Sequence, residues 1–182
     1  MLCNFYIIII QNRLEETTLK KHFIFYIDMD GVLNLFESDK NARVNMWKSG
    51  YFRTIPVREG ISDLLVRINS VAYVIILSKV INRIGVTQEK SFWTNENISP
   101  DGYSDIIYVP YDRSKADYLY PDYPCMLVDD KEQNLIECQK KGCHGLFLSD
   151  IKTSQVFPNA KSMQDIWNYF EYLINQYDSI HD

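Results

Sequence analysis

Five short apolar runs, separated by stretches with helical periodicity, constrain the fold of this 182-residue chain more than any other feature. Each run has four or five residues rich in Ile, Val, Leu or aromatic side chains, and polar or turn residues follow it. The runs are residues 23–27, 73–77, 106–109, 125–128 and 145–148. Uninterrupted apolar runs of this length are typical of strands in a parallel sheet that is covered on both faces.

Amphipathic stretches between the runs predict helices. Residues 57–69 place Ile61, Leu64, Leu65 and Ile68 on one face, at spacings of three and four. Residues 131–141 and 162–177 are two further predicted helices. Alternating strands and helices indicate an α/β fold with a mostly parallel sheet and helices on both faces, in which ligands bind beyond the carboxyl ends of the strands.

Two segments lie outside this alternation. Residues 1–20 form an N-terminal extension, either an additional edge strand or a poorly ordered segment, and both readings stay open. Residues 34–55, which contain Phe36, Trp47, Tyr51 and Phe52, interrupt the first crossover. An aromatic-rich insertion directly after the first strand predicts a small cap over the strand ends, and we call residues 34–55 the cap segment. Residues 21–182 are otherwise expected to form one domain.

Charge and composition exclude several classes of partner. Asp and Glu outnumber Lys and Arg by 24 to 19, so no surplus of cations is available to bind a nucleic-acid polymer. The apolar stretch near the N-terminus is much shorter than the roughly 20 residues that cross a bilayer, so no membrane partner is expected. Four cysteines do not make a disulfide scaffold. We therefore expect a cytoplasmic protein with free thiols.

Two carboxylates, Asp28 and Asp30, follow the first apolar run two residues apart. If the strand geometry continues, both side chains point to one face and repel each other unless a cation lies between them or one is protonated. Gly31 allows the backbone to turn sharply after them. The alternative is a calcium loop, but residues 32–35 do not supply the further oxygen ligands and distal Glu that such a loop needs.

A second acidic pair, Asp129 and Asp130, ends the fourth apolar run. On its own this pair is best interpreted as a helix cap. Together with Asp28 and Asp30, it brings four carboxylates to one edge of one sheet. Such an oxygen-rich site suits Mg²⁺, which commonly retains water ligands and contacts a substrate phosphate.

Two further residues complete a set that could bind a phosphoryl group. Ser78 follows the second apolar run, and Lys115 lies in the loop after the third. A hydroxyl and an ammonium group at the same edge would supply donors to phosphoryl oxygens. The alternative is that Ser78 is an ordinary turn residue and Lys115 a solvated surface lysine.

The order of these features resembles motifs one to four of the haloacid dehalogenase (HAD) superfamily. DMDG at 28–31, Ser78, Lys115 and the Asp129–Asp130 pair occur in that order, and the resemblance spans about residues 23–148. It implies a Rossmann-like HAD fold that requires Mg²⁺.

The resemblance also implies a role for each residue. Asp28 would be the nucleophile that forms an aspartyl-phosphate, and Asp30 would be the general acid and base. Ser78 and Lys115 would bind the phosphate. The metal ligands would be Asp28, Asp30 through its backbone carbonyl, Asp129 and Asp130, the last directly or through water.

Within the superfamily, the chain most resembles the 5′(3′)-deoxyribonucleotidases. The segments that carry this resemblance are DMDGVL with Phe36-Glu37, WKSGYFRTIPVREG at 47–60, YVPYDRSK at 108–115 and LVDDK at 127–131. In that family, aromatic side chains of the cap stack on the nucleotide base, and Phe36 and Trp47 occupy the matching positions. The alternative is that both rings are simply the hydrophobic core of the cap.

The cap segment departs from the family pattern. Only about 25 residues separate DMDG from PVREG, whereas the family has a larger helical cap. A smaller cap would admit a larger substrate or require a partner in a homodimer to close the site. We expect a Mg²⁺-dependent phosphomonoesterase for a small phosphorylated substrate, foremost a nucleoside monophosphate. A sugar phosphate is the alternative substrate, and a catalytically silent binding module is the alternative function.

Overall fold

A computed structural model describes residues 22–37 and 40–181 of the chain, which form an α/β fold around one six-stranded sheet. The strands are β1 (Ile24–Ile27), β2 (Tyr73–Val80), β3 (Asp105–Pro110), β4 (Cys125–Asp129), β5 (His144–Leu148) and β6 (Asn159–Ala160). Their order across the sheet is β3-β2-β1-β4-β5-β6, and every pair is parallel. The predicted fold class is confirmed, and all five predicted strands are present.

The helices are α1 (Lys40–Asn45), α2 (Ile61–Asn69), α3 (Val86–Asn97), α4 (Glu132–Gln139) and α5 (Met163–His181). Three short 3₁₀ turns cover Tyr51–Thr54, Pro100–Gly102 and Lys115–Tyr118. In the described part of the chain, no helix combines the length and the apolar character that a membrane span requires. The predicted extension at residues 1–20 lies outside the described residues.

Alternate residues of the strands build two hydrophobic layers, one on each face of the sheet. Phe25 and Ile27 of β1 pack with side chains such as Phe170 of α5. Their neighbours Ile24 and Tyr26 belong to the opposite layer. Because both faces are covered, the strands contain few polar residues, and the sites left for chemistry are the strand ends.

Three details differ from the sequence prediction. The helix predicted over 57–69 begins only at Ile61, because Gly60 before it has a left-handed φ of 75°. Ser78 lies inside β2 rather than after it, since β2 continues to Val80 and pairs with β3 up to Pro110. Strand β6 has only two residues, too few to produce a recognisable apolar run.

Helix α3 was not predicted, because its buried face does not show an apolar period. The residues it buries are Val86, Glu89, Lys90, Trp93 and Thr94. Charged side chains at buried positions hide the helical periodicity on which prediction depends. A helix that buries a glutamate and a lysine must supply each with partners. Glu89 binds the cap segment, and Lys90 binds side chains at the carboxyl edge of the sheet.

The cap segment is fastened to the core by α3. Phe52 and Ile55 pack with Val86 in a small hydrophobic cluster of their own. Glu89 accepts hydrogen bonds from the backbone N–H groups of Gly50 and Phe52. The two Glu89 oxygens also accept from the guanidinium of Arg83, each at 2.8 Å.

Candidate active site

The carboxyl ends of β1 and β4 bring Asp28 and Asp129 side by side. The two strands are neighbours with Ile27 opposite Val128, and the N–H of Asp28 donates to the carbonyl of Val128 at 2.9 Å. Carboxylate oxygens of Asp28, Asp129 and Asp130 lie within 4.8 Å of one another. The acidic residues that the sequence separates by about a hundred positions therefore share one site.

Lys115 sits at the centre of this cluster. Its ammonium contacts Asp28 Oδ1 at 2.8 Å and Asp129 Oδ2 at 2.6 Å, and the side chain is fully buried. Burial would lower the pKa of Lys115, but the charges of Asp129 and Asp28 outweigh it and raise that pKa. Burial would likewise raise the pKa of Asp28, but Lys115, with Lys131 and Lys90, lowers it. The lowered pKa favours the ionised form of Asp28, which is the form that the predicted nucleophilic role requires.

The two oxygens of Asp129 are occupied by protein donors. Besides Lys115, the side-chain amide of Asn134 donates to both oxygens, at 3.0 and 2.9 Å. The backbone N–H of Lys131 donates to Oδ1 at 2.9 Å. The N-cap residue of helix α4 is Lys131, whose side chain makes no capping hydrogen bond, so neither aspartate of the pair is the N-cap residue.

Asp130 contrasts with Asp129. Its Oδ1 is the one buried side-chain oxygen in the described residues that has no hydrogen-bond partner. Burial, and then the nearby charge of Asp28, raise the pKa of Asp130 to about 7. Gly31 approaches this carboxylate so closely that a Cβ there would lie 2.7 Å from Asp130 Oδ2. An orphaned carboxylate oxygen beside a second carboxylate is the arrangement that a hard divalent cation satisfies.

This donor set fits a hard divalent metal ion. Asp28, Asp129 and Asp130 each offer a carboxylate oxygen to a common point, and Oδ1 of Asp130 has no other partner. Asp129 also binds Lys115 and Asn134. A cation bound here would replace the missing partner of Asp130 and reduce the repulsion between the carboxylates. The predicted set of metal ligands stays a prediction.

Lys90 was missed by sequence reasoning, although it is fully buried in the site. Its ammonium lies 2.5 Å from Asp30 Oδ2 and donates to Ser78 Oγ at 2.8 Å and to the carbonyl of Lys79 at 2.9 Å. The same nitrogen lies 4.9 Å from the centroid of the Phe52 ring. Lys90 therefore joins the predicted general acid, the predicted phosphate ligand and the cap segment.

The turn after Asp30 is held by two side chains. Asn34 accepts from the backbone N–H groups of Gly31 and Phe36 and donates to Asp30 Oδ1 at 3.3 Å. Arg58 donates to the carbonyls of Val32 and Gly31 at 2.9 and 3.0 Å. The guanidinium of Arg58 also makes a bidentate ion pair with Asp150, with both distances 2.9 Å. The carboxylate-bearing turn is thereby fixed from both of its sides.

The two predicted base-stacking rings occupy different environments. Phe36 packs against Phe52 and Tyr51, with ring centroids 6.4 Å apart in each case. Trp47 instead leaves 58% of its surface exposed and lines a cavity of about 790 Å³ between the cap segment and the ends of β2 and β3. Trp47 is therefore not part of the hydrophobic core of the cap, whereas Phe36 contributes to it.

Comparison with solved structures assigns the fold. A D,D-heptose 1,7-bisphosphate phosphatase from B. bronchiseptica, solved with magnesium and phosphate, superposes with a TM-score of 0.59, covering 84% of this chain and 98% of its own. A haloacid dehalogenase-like hydrolase from Streptococcus pneumoniae gives 0.58, with 81% and 97% covered. The chain has the fold of the haloacid dehalogenase-like hydrolases. Sequence identity to each is 12%.

A third structure with this HAD-like fold is the D,D-heptose 1,7-bisphosphate phosphatase from Burkholderia thailandensis. It gives a TM-score of 0.54 at 12% identity and covers 81% of this chain and 97% of its own. No protein-family model matches the sequence, and a search of curated proteins finds no significant match.

The HAD-like fold brings together six of the eight predicted site residues. They are Asp28, Asp30, Ser78, Lys115, Asp129 and Asp130, linked through the contacts of Lys115 and Lys90 and by the proximity of the three carboxylates. The alternative of a solvated Lys115 is wrong, because the side chain is fully buried. Lys90, Asn134, Asn34 and Arg58 were missed, since a lone polar residue on a helix or in a turn carries no pattern of its own.

Proposed function

We propose that this protein is a phosphomonoesterase that forms an aspartyl-phosphate on Asp28, works with Mg²⁺ and acts on nucleoside monophosphates in the manner of the 5′(3′)-deoxyribonucleotidases. The observation that carries the proposal is the position of Lys115. Its ammonium contacts Asp28 and Asp129, whose carboxylates cluster with that of Asp130, and Asp130 Oδ1 has no hydrogen-bond partner. This arrangement keeps one carboxylate ionised while another lacks a partner that a cation would supply.

The first half-reaction uses Asp28 and Asp30. A carboxylate oxygen of Asp28 attacks phosphorus and forms the new P–O bond, while the bond to the leaving alcohol breaks. Asp30 gives its proton to the leaving oxygen. In the second half-reaction, Asp30 takes a proton from water, the water oxygen attacks phosphorus, and the bond to Asp28 breaks to release phosphate.

Basic and hydroxyl side chains bind the phosphoryl group in this proposal. Ser78 accepts from Lys90, so its own hydroxyl proton can be donated to a phosphoryl oxygen once substrate enters, while Lys90 supplies positive charge beside Asp30. Asp28, Asp129 and Asp130, together with the backbone carbonyl of Asp30, would hold Mg²⁺. Its charge would reduce the repulsion between the Asp28 carboxylate and the anionic phosphate. Lys115 orients Asp28 throughout.

A sugar phosphate is the second candidate substrate. Two of the solved structures with the same fold are named as heptose bisphosphate phosphatases, whose substrate carries no aromatic ring. The cavity lined by Trp47 favours the nucleotide over the sugar phosphate, because an exposed tryptophan offers a stacking surface that a sugar alone does not use.

The decisive experiment measures phosphate release from nucleoside 5′- and 3′-monophosphates, in the ribose and deoxyribose series, and from ribose 5-phosphate. It compares the wild type with and without Mg²⁺, Asp28→Asn, and Asp63→Asn as a control for an exposed aspartate on α2. We expect Mg²⁺-dependent turnover that Asp28→Asn lowers by about 10⁴-fold or more and that Asp63→Asn leaves unchanged. Equal release by the wild type and Asp28→Asn would reject the nucleophile, and a preference for ribose 5-phosphate would reject the nucleotide.

A further inference from the structure

The cavity beside the active site is built from two separate parts of the chain. The cap segment contributes Trp47, and the core contributes Asn82 after β2 and Tyr111 and Asp112 after β3. Its volume of about 790 Å³ is in the range of small-molecule sites. Because α1 and the strand ends both contribute to its walls, a group bound there would contact cap and core at once.

The cavity begins two residues along β2 from the predicted phosphate ligand. Ser78 contacts Lys90 and so belongs to the active site, whereas Val80, two residues further along β2, lines the cavity. Two residues of a strand span roughly 7 Å. A substrate whose phosphate lies at Ser78 therefore has the cavity within reach of the group that its sugar carries.

The core side of the cavity carries an aromatic ring that the structure leaves to solvent. Tyr111 exposes 69% of its surface, directly after Pro110, which pairs with Val80 in the sheet. Large rings are highly buried on average, and a flat ligand that covers an exposed ring removes apolar surface from water, which is favourable. Trp47 provides the second exposed ring, on the cap side.

We infer that Tyr111 is a specificity-determining residue that binds the base of a nucleoside monophosphate from the core side, while Trp47 binds it from the cap. This inference rests on the proposed function and adds to it a second wall that does not belong to the cap. Asn82 and Asp112, which share the cavity, offer hydrogen-bond acceptors to the polar edge of the ring. A short cap thus suffices, because the loop after β3 supplies the surface that a larger cap would otherwise provide.

The test compares two substrates that differ only in the ring. Adenosine 5′-monophosphate and ribose 5-phosphate are assayed with the wild type, Tyr111→Ala, Tyr111→Phe and Tyr172→Ala. Tyr172 is a matched control, since it is 57% exposed on α5 and does not line the cavity. Binding of both compounds without Mg²⁺ is measured by calorimetry in parallel, so that affinity for the cavity is determined independently of turnover.

We expect Tyr111→Ala to raise KM for the nucleotide about 5- to 150-fold with little change in kcat. The constants for ribose 5-phosphate should not change, Tyr111→Phe should restore the wild-type KM, and Tyr172→Ala should have no effect. Equal losses for both substrates, or no loss for either, would overturn the inference. If nucleotide binding weakens as expected but no phosphate is released by the wild type, the inference stands and the proposed function is wrong.

Discussion

At the carboxyl edge of the sheet, Lys115 is fully buried between two carboxylates, whereas in the cap segment Trp47 leaves 58% of its surface in solvent. The first region is assembled before any substrate arrives, because Lys115 and Lys90 already contact the carboxylates they would serve. The second region is open to solvent, and its exposed aromatic ring is accessible to a ligand. Under the proposed function, the residues that carry out the reaction and the residues that select the substrate lie in different regions. Changes at the sheet edge should therefore lower kcat, and changes at the cap should raise KM.

Lys115→Met should have the largest effect. It leaves Asp28 and Asp129 facing each other without a counter-charge, so we expect kcat to fall about 10³-fold and the free energy of unfolding to drop by roughly 3–5 kcal/mol. Phosphate release and chemical denaturation measure the two effects. Lys140→Met, at an exposed position after α4, is the control, and Lys115→Arg keeps the charge if the methionine variant folds poorly. If Lys115→Met kept the wild-type kcat, the proposal that Lys115 orients Asp28 would be wrong.

Lys90→Met should rank second. Lys90 contacts Asp30 and Ser78, whereas the contact of Asp28 is with Lys115, so the proposed nucleophile keeps its partner in this variant. We expect kcat to fall about 10²-fold, with KM for the nucleotide changing much less. Steady-state kinetics separate the two constants, and Lys90→Arg should recover part of kcat. If KM rose and kcat did not change, Lys90 would bind the substrate rather than position Asp30.

Mg²⁺ binding should weaken by about tenfold for each pH unit below 7. The pKa of Asp130 is raised to about 7 by burial and by the charge of Asp28, so a proton competes with the cation below that value. The folded protein binds this proton more tightly than the unfolded chain, whose Asp130 titrates near 3.8, so metal-free stability falls as pH rises between these values. Calorimetric Mg²⁺ titrations at pH 6 and 8 measure the effect, and Asp130→Asn should remove the pH dependence.

Glu89→Gln should have the smallest effect on activity and a clear effect on stability. Arg83 and the backbone N–H groups of Gly50 and Phe52 lower the pKa of Glu89 against the effect of burial. A depressed pKa contributes stability that is present above pH 4.5 and lost as the pH falls towards the folded pKa. At pH 7 we expect a loss of roughly 1.5–3 kcal/mol and a KM rise of a few-fold.

The matched control for Glu89→Gln is Glu96→Gln on the same helix. Glu96 pairs with Arg53 at the surface, where both side chains are about half exposed. An exposed pair contributes roughly 0–1 kcal/mol, so this variant should unfold close to the wild type. If the two variants lost equal stability, the cap segment would not depend on Glu89.

Sequence patterns predicted the parts of this molecule that are repetitive or clustered. The strands were predicted from their apolar composition. The Asp28–Asp30 and Asp129–Asp130 pairs were identified as site residues from their position at strand ends. Lys90 could not be found in this way, because it lies on α3, whose buried glutamate and lysine hide the helical period. Only the three-dimensional structure shows that α3, the helix after β2, places Lys90 against Asp30 and Ser78.

The cap segment shows the second limit of prediction. Its aromatic residues were visible in the sequence, but nothing there distinguished Phe36, which packs on Phe52, from Trp47, which faces the cavity. Tyr111 was equally invisible, because the loop after β3 meets the cap only once the sheet order places β3 beside β2. Local pattern identifies which side chains are aromatic, and topology decides which of them share a cavity.

The ion pair between Arg58 and Asp150 joins positions 92 residues apart and reaches from the solvent to the carbonyls of the turn that follows Asp30. Asp150 lies on the surface, with 60% of its side chain exposed, so it can be replaced without a change in the packing of the core. A substitution at this exposed position would leave Arg58 without its ion pair, and so would change how rigidly the turn after Asp30 is held.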